Sequence, residues 1–359
     1  LVRGNTIAIF SPGTPGIGAV DFSLYGLVNT LSDETRRVSV ELLNAHTNRI
    51  VWTKSIVIPN SDDIEEQTAL ILGDELRVQL LGASRDFLEG RDPTRLTAQQ
   101  LFLMATWIPG PTETNSFAWE NGRIELMQMA LEKNPDLGTS HSVMADKLAQ
   151  MANFDAEFDT PELHEKALMH IQRATELDPL NPDVMFNIGQ SHWHAGRSRQ
   201  SQLTMRRVVD LDPGHNLARF LSDVIPYTCT TPTPEVIDNA IAFDDHLLAD
   251  NPIRWITLTW IAWLHVNNGD YDAALAAKRQ AALIFETPYS FMGHAMVLNE
   301  VGQPDAAADM LRLQRFNWPG ISPDHFAFAT MPRLCLEASS SPNLIKKYEA
   351  FAAAMARLR

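Results

Sequence analysis

Only two cysteines, Cys229 and Cys335, occur in 359 residues, which excludes a disulfide-dense scaffold and a four-cysteine zinc site. Two readings of that pair stand: a disulfide made in an oxidising compartment, closing a loop of more than a hundred residues, or two buried thiols that never meet. No apolar run reaches the ~18 to 20 residues of a membrane span, and no signal peptide stands at the start. Because the chain opens on Leu1 rather than Met, we read it as a fragment that a membrane span or an output domain would precede. Basic residues are scarce. Lys and Arg number 29 against 44 Asp and Glu, a formal net charge of −15, which argues against a nucleic-acid surface.

Catalytic patterns are also missing. There is no Gly-x-Ser-x-Gly, no His-Glu-x-x-His and no Cys-x-x-Cys. Of the eleven histidines, His192 and His194 are two apart and would project about 200° from each other on a helix. His164 and His170 also diverge, so the histidines are read as surface or internally satisfied side chains. The glycine-rich stretch Ser11 to Gly18 lacks the lysine of a phosphate loop. Asp62-Asp63 and Asp244-Asp245 are sequence neighbours, which suits helix caps or solvated faces. We expect no catalytic residue, no metal and no cofactor in this stretch.

What is present is a strand-rich start followed by helices. Val38, Val40 and Leu42 alternate with Ser39 and Glu41, the period of a half-buried strand. Asp21–Leu31, Arg37–Leu43 and Arg49–Pro59 are predicted as three strands joined by hairpins. Thr6–Phe10 is a further short apolar run. A helix is expected from Asp62 or Asp63 to about Leu88, and Gly90-Arg91-Asp92-Pro93 reads as a linker. Beyond it, Leu177-Asp178-Pro179 recurs 34 residues later as Leu211-Asp212-Pro213. Between the copies, Met185, Ile188, Gly189 and His192 share one helical face. Gly196 breaks that helix, and Ser201, Met205 and Val208 share a face of the next. Further pairs are expected at Leu96–Trp107 with Phe117–Lys133, at Ser140–Ala152 with Pro161–Leu177, at Trp255–Asn267 with the helix to Phe285, and at Tyr289–Val301 with Asp305–Phe316. Pro226, Pro232 and Pro234 break up residues 214–234. Ser322–Ala338 and Pro342–Leu358 are the expected closing helices.

The 34-residue period resembles the tetratricopeptide repeat. The start resembles the TolB-N-like α/β module: Phe22-Ser-Leu-Tyr-Gly-Leu-Val is followed by Arg37, Val38, Val40, Leu42, Ala45, Thr47 and Trp52 in the family's places, with Asn48 at its usual glycine. That order resembles CadC/ToxR-type membrane transcription regulators and the repeat-containing bacterial adenylate cyclases. The resemblance implies an α+β module over residues 1–90, lacking its first strand and helix, and an all-α superhelical repeat domain over residues 94–359.

It further implies a groove lined by the first helix of each repeat, with Phe186, Gln190, Trp193 and His194 there, and Trp263, Asn267, Tyr289, Met292 and Met296 in later repeats. Aromatic residues beside amides suit a protein, a peptide or a small-molecule signal. The implied function is a non-catalytic sensory or effector region of a membrane-bound bacterial regulator, held in the periplasm. The alternatives are an interaction scaffold, the regulatory part of a cyclase and a cytoplasmic setting.

Overall fold

The computed structural model describes residues 22–61, 63–88, 90–106, 117–247, 251, 253–284, 288–317, 322, 325 and 329–336. Thr6–Phe10, the glycine-rich stretch, Asp62 and the helix expected at Pro342–Leu358 lie outside them, as do the side chains at 117–121 and 288–290.

Three antiparallel strands open the fold: β1 (Phe22–Thr30), β2 (Thr35–Asn44) and β3 (Arg49–Pro59), in that order across the sheet. Val38 lies opposite Ile56, with an irregularity in register between Leu42 and Leu43. The alternation expected of β2 puts Val38, Val40 and Leu42 on one face with Ile56 and Ile58 of β3, and all five are buried. Helix α1 (Ile64–Leu88) covers that face with Leu72. Trp52 donates its indole N–H to Glu75 of α1 at 2.9 Å, and Lys54 lies 3.3 Å from the same carboxylate. The turn between β2 and β3 is held by the Asn44 side chain, which accepts from the backbone of His46 and Thr47. Asn48 takes the left-handed conformation, φ 53°, which asparagine tolerates better than most residues.

The rest is helical: α2 (Ala98–Thr106), α3 (Phe117–Lys133), α4 (Gly138–Phe154), α5 (Pro161–Leu177), α6 (Pro182–His194), α7 (Ser198–Leu211), α8 (Asn216–Val224), α9 (Pro234–His246), α10 (Arg254–Asn268), α11 (Tyr271–Ile284), α12 (Pro288–Glu300), α13 (Pro304–Asn317) and the single turn α14 (Met331–Leu334). Helices pack as consecutive pairs, α2 with α3, α4 with α5, α6 with α7, α10 with α11 and α12 with α13. The α6–α7 pair shows why. Asn181 caps α6 by accepting from the backbone of Asp183 and Val184, and Pro182 occupies its first turn. At Gly189 a Cβ would stand 2.8 Å from the tip of Met205, so glycine sets how closely the helices approach. Ser201 donates to the Gly189 carbonyl at 2.7 Å. The prolines after α8 act as expected. A 3-10 turn at Ile225–Tyr227 interrupts the helix, and Pro234 starts α9.

The expected linker is an exposed turn, with buried Leu88 before it and buried Leu96 after it. Leu88 at the end of α1 is buried with Leu96, with Leu101 of α2 and with Ala130 of α3, so one apolar cluster spans the junction between module and array.

Several histidines are taken into this framework uncharged. Burial pushes His170, His192 and His294 down to about 4, helped by His141, Arg197 and Lys278 respectively. The unfolded chain protonates these rings below about 6.5, and the folded chain only near 4. Unfolding therefore takes up protons across that window, and stability falls as pH drops through it. We expect the urea midpoint to decline from pH 6.5 to 4, and to decline less steeply in His170→Asn. A midpoint flat across that range would contradict this assignment.

Candidate interaction surface

Local folding puts the expected groove residues on the helices foreseen for them, but most of their side chains are occupied. On α6, Phe186 stacks on His215 with ring centroids 4.7 Å apart, and Gln190 is half-buried. Trp193 donates its indole N–H to Thr228 Oγ1 at 3.3 Å and leans on Trp260. His194 is buried, edge-on to Phe154, with Nε2 3.5 Å from Asp146. On α10, Trp263 donates to the Thr228 carbonyl at 2.7 Å, and Asn267 donates to the carbonyls of Tyr227 and Thr228. The side chain of Tyr289 lies outside the described residues. Met292 and Met296 are core residues, 0% and 3% exposed. An open groove is thus corrected at His194, Asn267, Met292 and Met296. These four are buried, and the two methionines belong to one apolar cluster together with Phe154, Val266 and Phe291.

The filling comes from segment 329–336. Met331, Leu334 and Cys335 belong to that same cluster, against which Trp193 and Trp263 pack. Cys335 is joined to Cys229 in a disulfide across a sequence separation of 106. Polar contacts fix the segment at its other side, at the last turn of α4 and the loop after it. Thr330 donates to the Asn153 carbonyl at 2.5 Å, and Arg333 reaches the Ala152 carbonyl and the Asn153 side chain. Arg333 Nη2 also donates to both carboxylate oxygens of Asp159, at 2.7 and 2.8 Å. His164 holds the same carboxylate at 2.9 Å. Burial works to raise the Asp159 pKa, but the bonds from Arg333 and His164 hold it below the usual carboxylate range. At the turn between α6 and α7, a Cβ on Gly196 would fall on the Arg333 carbonyl.

Segment 329–336 therefore spans the array from the end of α4, past the α6–α7 turn, to the 3-10 turn that precedes Cys229. The sequence hid this arrangement. Arg333 and Asp159 are 174 positions apart, and no local pattern joins them. Gly196 was legible as a turn but not as a seat for another strand of backbone.

Among the described residues no group of three or more His, Cys, Asp or Glu is placed to hold a metal ion. Nor is any helix of the described residues long and apolar enough to cross a membrane. No family model matches the sequence, and no curated protein does. Among solved structures, yeast Tom70 aligns at 16% identity and TM-score 0.37, over 79% of this chain and 60% of its own length. The TPR domain of P58(IPK) aligns at 9% identity and TM-score 0.19, over 82% of this chain and 99% of that one. The paired helices, their 34-residue period and their glycine turns speak for themselves. The helical region is tetratricopeptide-like.

Two glycines separate the closing contact from ordinary turn strain. Gly196 and Gly269 both have positive φ, 74° and 81°, but a Cβ at Gly269 meets nothing within 4 Å. Gly269→Ala should cost about 1 kcal/mol, the usual left-handed penalty. Gly196→Ala should cost clearly more in a urea melt, because it must also displace Arg333. Equal costs would show that the contact contributes nothing to stability.

Proposed function

We propose that this chain is the non-catalytic sensory or effector region of a membrane-bound bacterial regulator, whose helical array receives a protein partner or a small-molecule signal. The single observation that carries the reading is the buried cluster of Leu88, Leu96, Leu101 and Ala130. It supports a packed junction, instead of a loose tether, between the module proposed for residues 1–90 and the array proposed for residues 94–359. A partner that binds the array can then bias the module as a population shift between two arrangements. Paired helices with half-buried Phe186 and Gln190 on α6, outside the contacts of the closing segment, suit a partner surface better than a reaction site. The Cys229–Cys335 bond supports an oxidising compartment, and the periplasm is our proposal for it.

Two measurements test this. Leu88→Ala should cost roughly 2 to 5 kcal/mol, as large-to-small core changes do, and should split one calorimetric transition into two. In the native host the same variant should keep crosslinking to its partner through a photoreactive group at Gln190, yet lose the response to it. A response that survives the split transition would defeat the coupling. For the compartment, protein recovered with thiols blocked at lysis should yield the Cys229–Cys335 linked peptide. Two alkylated cysteines there would remove the support for an exported setting.

A further inference from the structure

The two edges of the sheet differ in kind. β3 is guarded as edge strands usually are, with Arg49, Lys54 and Pro59 along it. β1, with the sequence Phe-Ser-Leu-Tyr-Gly-Leu-Val-Asn-Thr, carries no charge and no proline over nine residues. Among the described residues it pairs only with β2. Its side chains are open on both faces. Leu24 and Val28 are 50% and 47% exposed, although their β2 neighbours Leu42 and Val38 are covered by α1. Tyr25 and Leu27, on the other face, are 57% and 60% exposed.

We infer that β1 is a homodimer interface, pairing antiparallel with β1 of a second copy about a two-fold axis at Gly26. The strand is close to self-complementary about that residue. Leu24 would face Val28 of the other copy and Tyr25 would face Leu27, with Gly26 opposite Gly26. These are the aromatic and branched cross-strand pairs that stabilise sheets, arranged as a two-fold interface demands. Nothing of like charge meets in the strand itself, although each copy carries a net charge of −15.

The ends bring no like charges into contact either. Thr30 would lie opposite Phe22 of the second copy, which pairs with Asn44, itself the partner of Arg49. The exposed acidic tip Asp33-Glu34 of one copy and the exposed Arg49 of the other fall at the same end of the pair, at least three strand spacings or roughly 14 Å apart, too far to form ion pairs. The product is one continuous six-stranded sheet, with both α1 helices on the same face beside the newly covered Leu24 and Val28 side chains.

Cysteine scanning of the full chain tests the register. Gly26 has no atom within 4 Å of a built Cβ, so Gly26→Cys fits the fold. Opposed residues across the pair lie about 4.5 to 5.5 Å apart, within disulfide reach. Under mild oxidation Gly26→Cys should link two chains into a species of twice 40.1 kDa. Leu24→Cys alone should not, since its copies would be about 13 Å apart, but mixed with Val28→Cys it should link. Unmodified protein should sediment as a dimer and Leu27→Lys, whose side chain is already exposed, as a monomer with an unchanged circular dichroism spectrum. The inference is overturned if the unmodified chain sediments as a single copy, which would mean that something else covers the edge. It is equally overturned if Leu24→Cys links to itself as readily as Gly26→Cys. None of these outcomes depends on the partner or the compartment proposed above.

Discussion

A tetratricopeptide-like array left open exposes the inner faces of its first helices, and here segment 329–336 covers them. The disulfide between Cys229 and Cys335 fixes one side of segment 329–336, and the Arg333–Asp159 pair fixes the other. A covalent closure spanning 106 positions contributes about 4 to 5 kcal/mol in the chain-entropy estimate. Removing both anchors would leave Met331 and Leu334 to hold the segment largely by apolar contact. With the segment in place, Trp193, Trp263, Met292 and Met296 work as core. The inner face is therefore a packed interior, and binding has to use what lies outside it.

That constraint explains the uneven polar chemistry. Several titratable side chains are drawn inside, with different outcomes. Asp159 keeps its charge because Arg333 and His164 answer it. Lys278 is buried against Gly293, and burial alone pushes it down to about 8. Asp155 at the end of α4 is pushed up by burial. The Asp159 charge is held by partners that include Arg333 of the closing segment, whereas burial disfavours the charge on Lys278 and on Asp155. The junction at Leu88 follows the same economy. Leu88 of α1 shares an apolar cluster with Leu96, Leu101 of α2 and Ala130 of α3.

Much of the architecture was legible in the chain. Alternation of Val38, Val40 and Leu42 marked β2, the 34-residue period marked α6 with α7, and Gly196, Gly269 and Gly302 each sit at a turn with positive φ. These are local signals, and local signals survive in a linear sequence. The candidate groove was read less well. Helical spacing placed Trp193, His194, Trp263 and Asn267 on first helices, but burial depends on what covers a face. The cover is a segment 174 positions from Asp159, with no repeat pattern of its own. Asn267 and Trp263 turned inward because the carbonyls of Tyr227 and Thr228 are left free by the proline-broken turn, a consequence of Pro226 that spacing does not show. His141 and His170, 2.8 Å apart between their Nδ1 atoms, escaped notice for the same reason: they meet across α4 and α5.

Amide hydrogen exchange on the oxidised, full-length chain tests closure of the inner face most directly. The account predicts that peptides spanning 329–336, which include the Cys335 and Leu336 amides bonded to the Met331 and Arg333 carbonyls, exchange as slowly as those of α6. Exchange of 329–336 at the rate of an unstructured peptide, with α6 still protected, would contradict it and return the inner face to the status of an open groove.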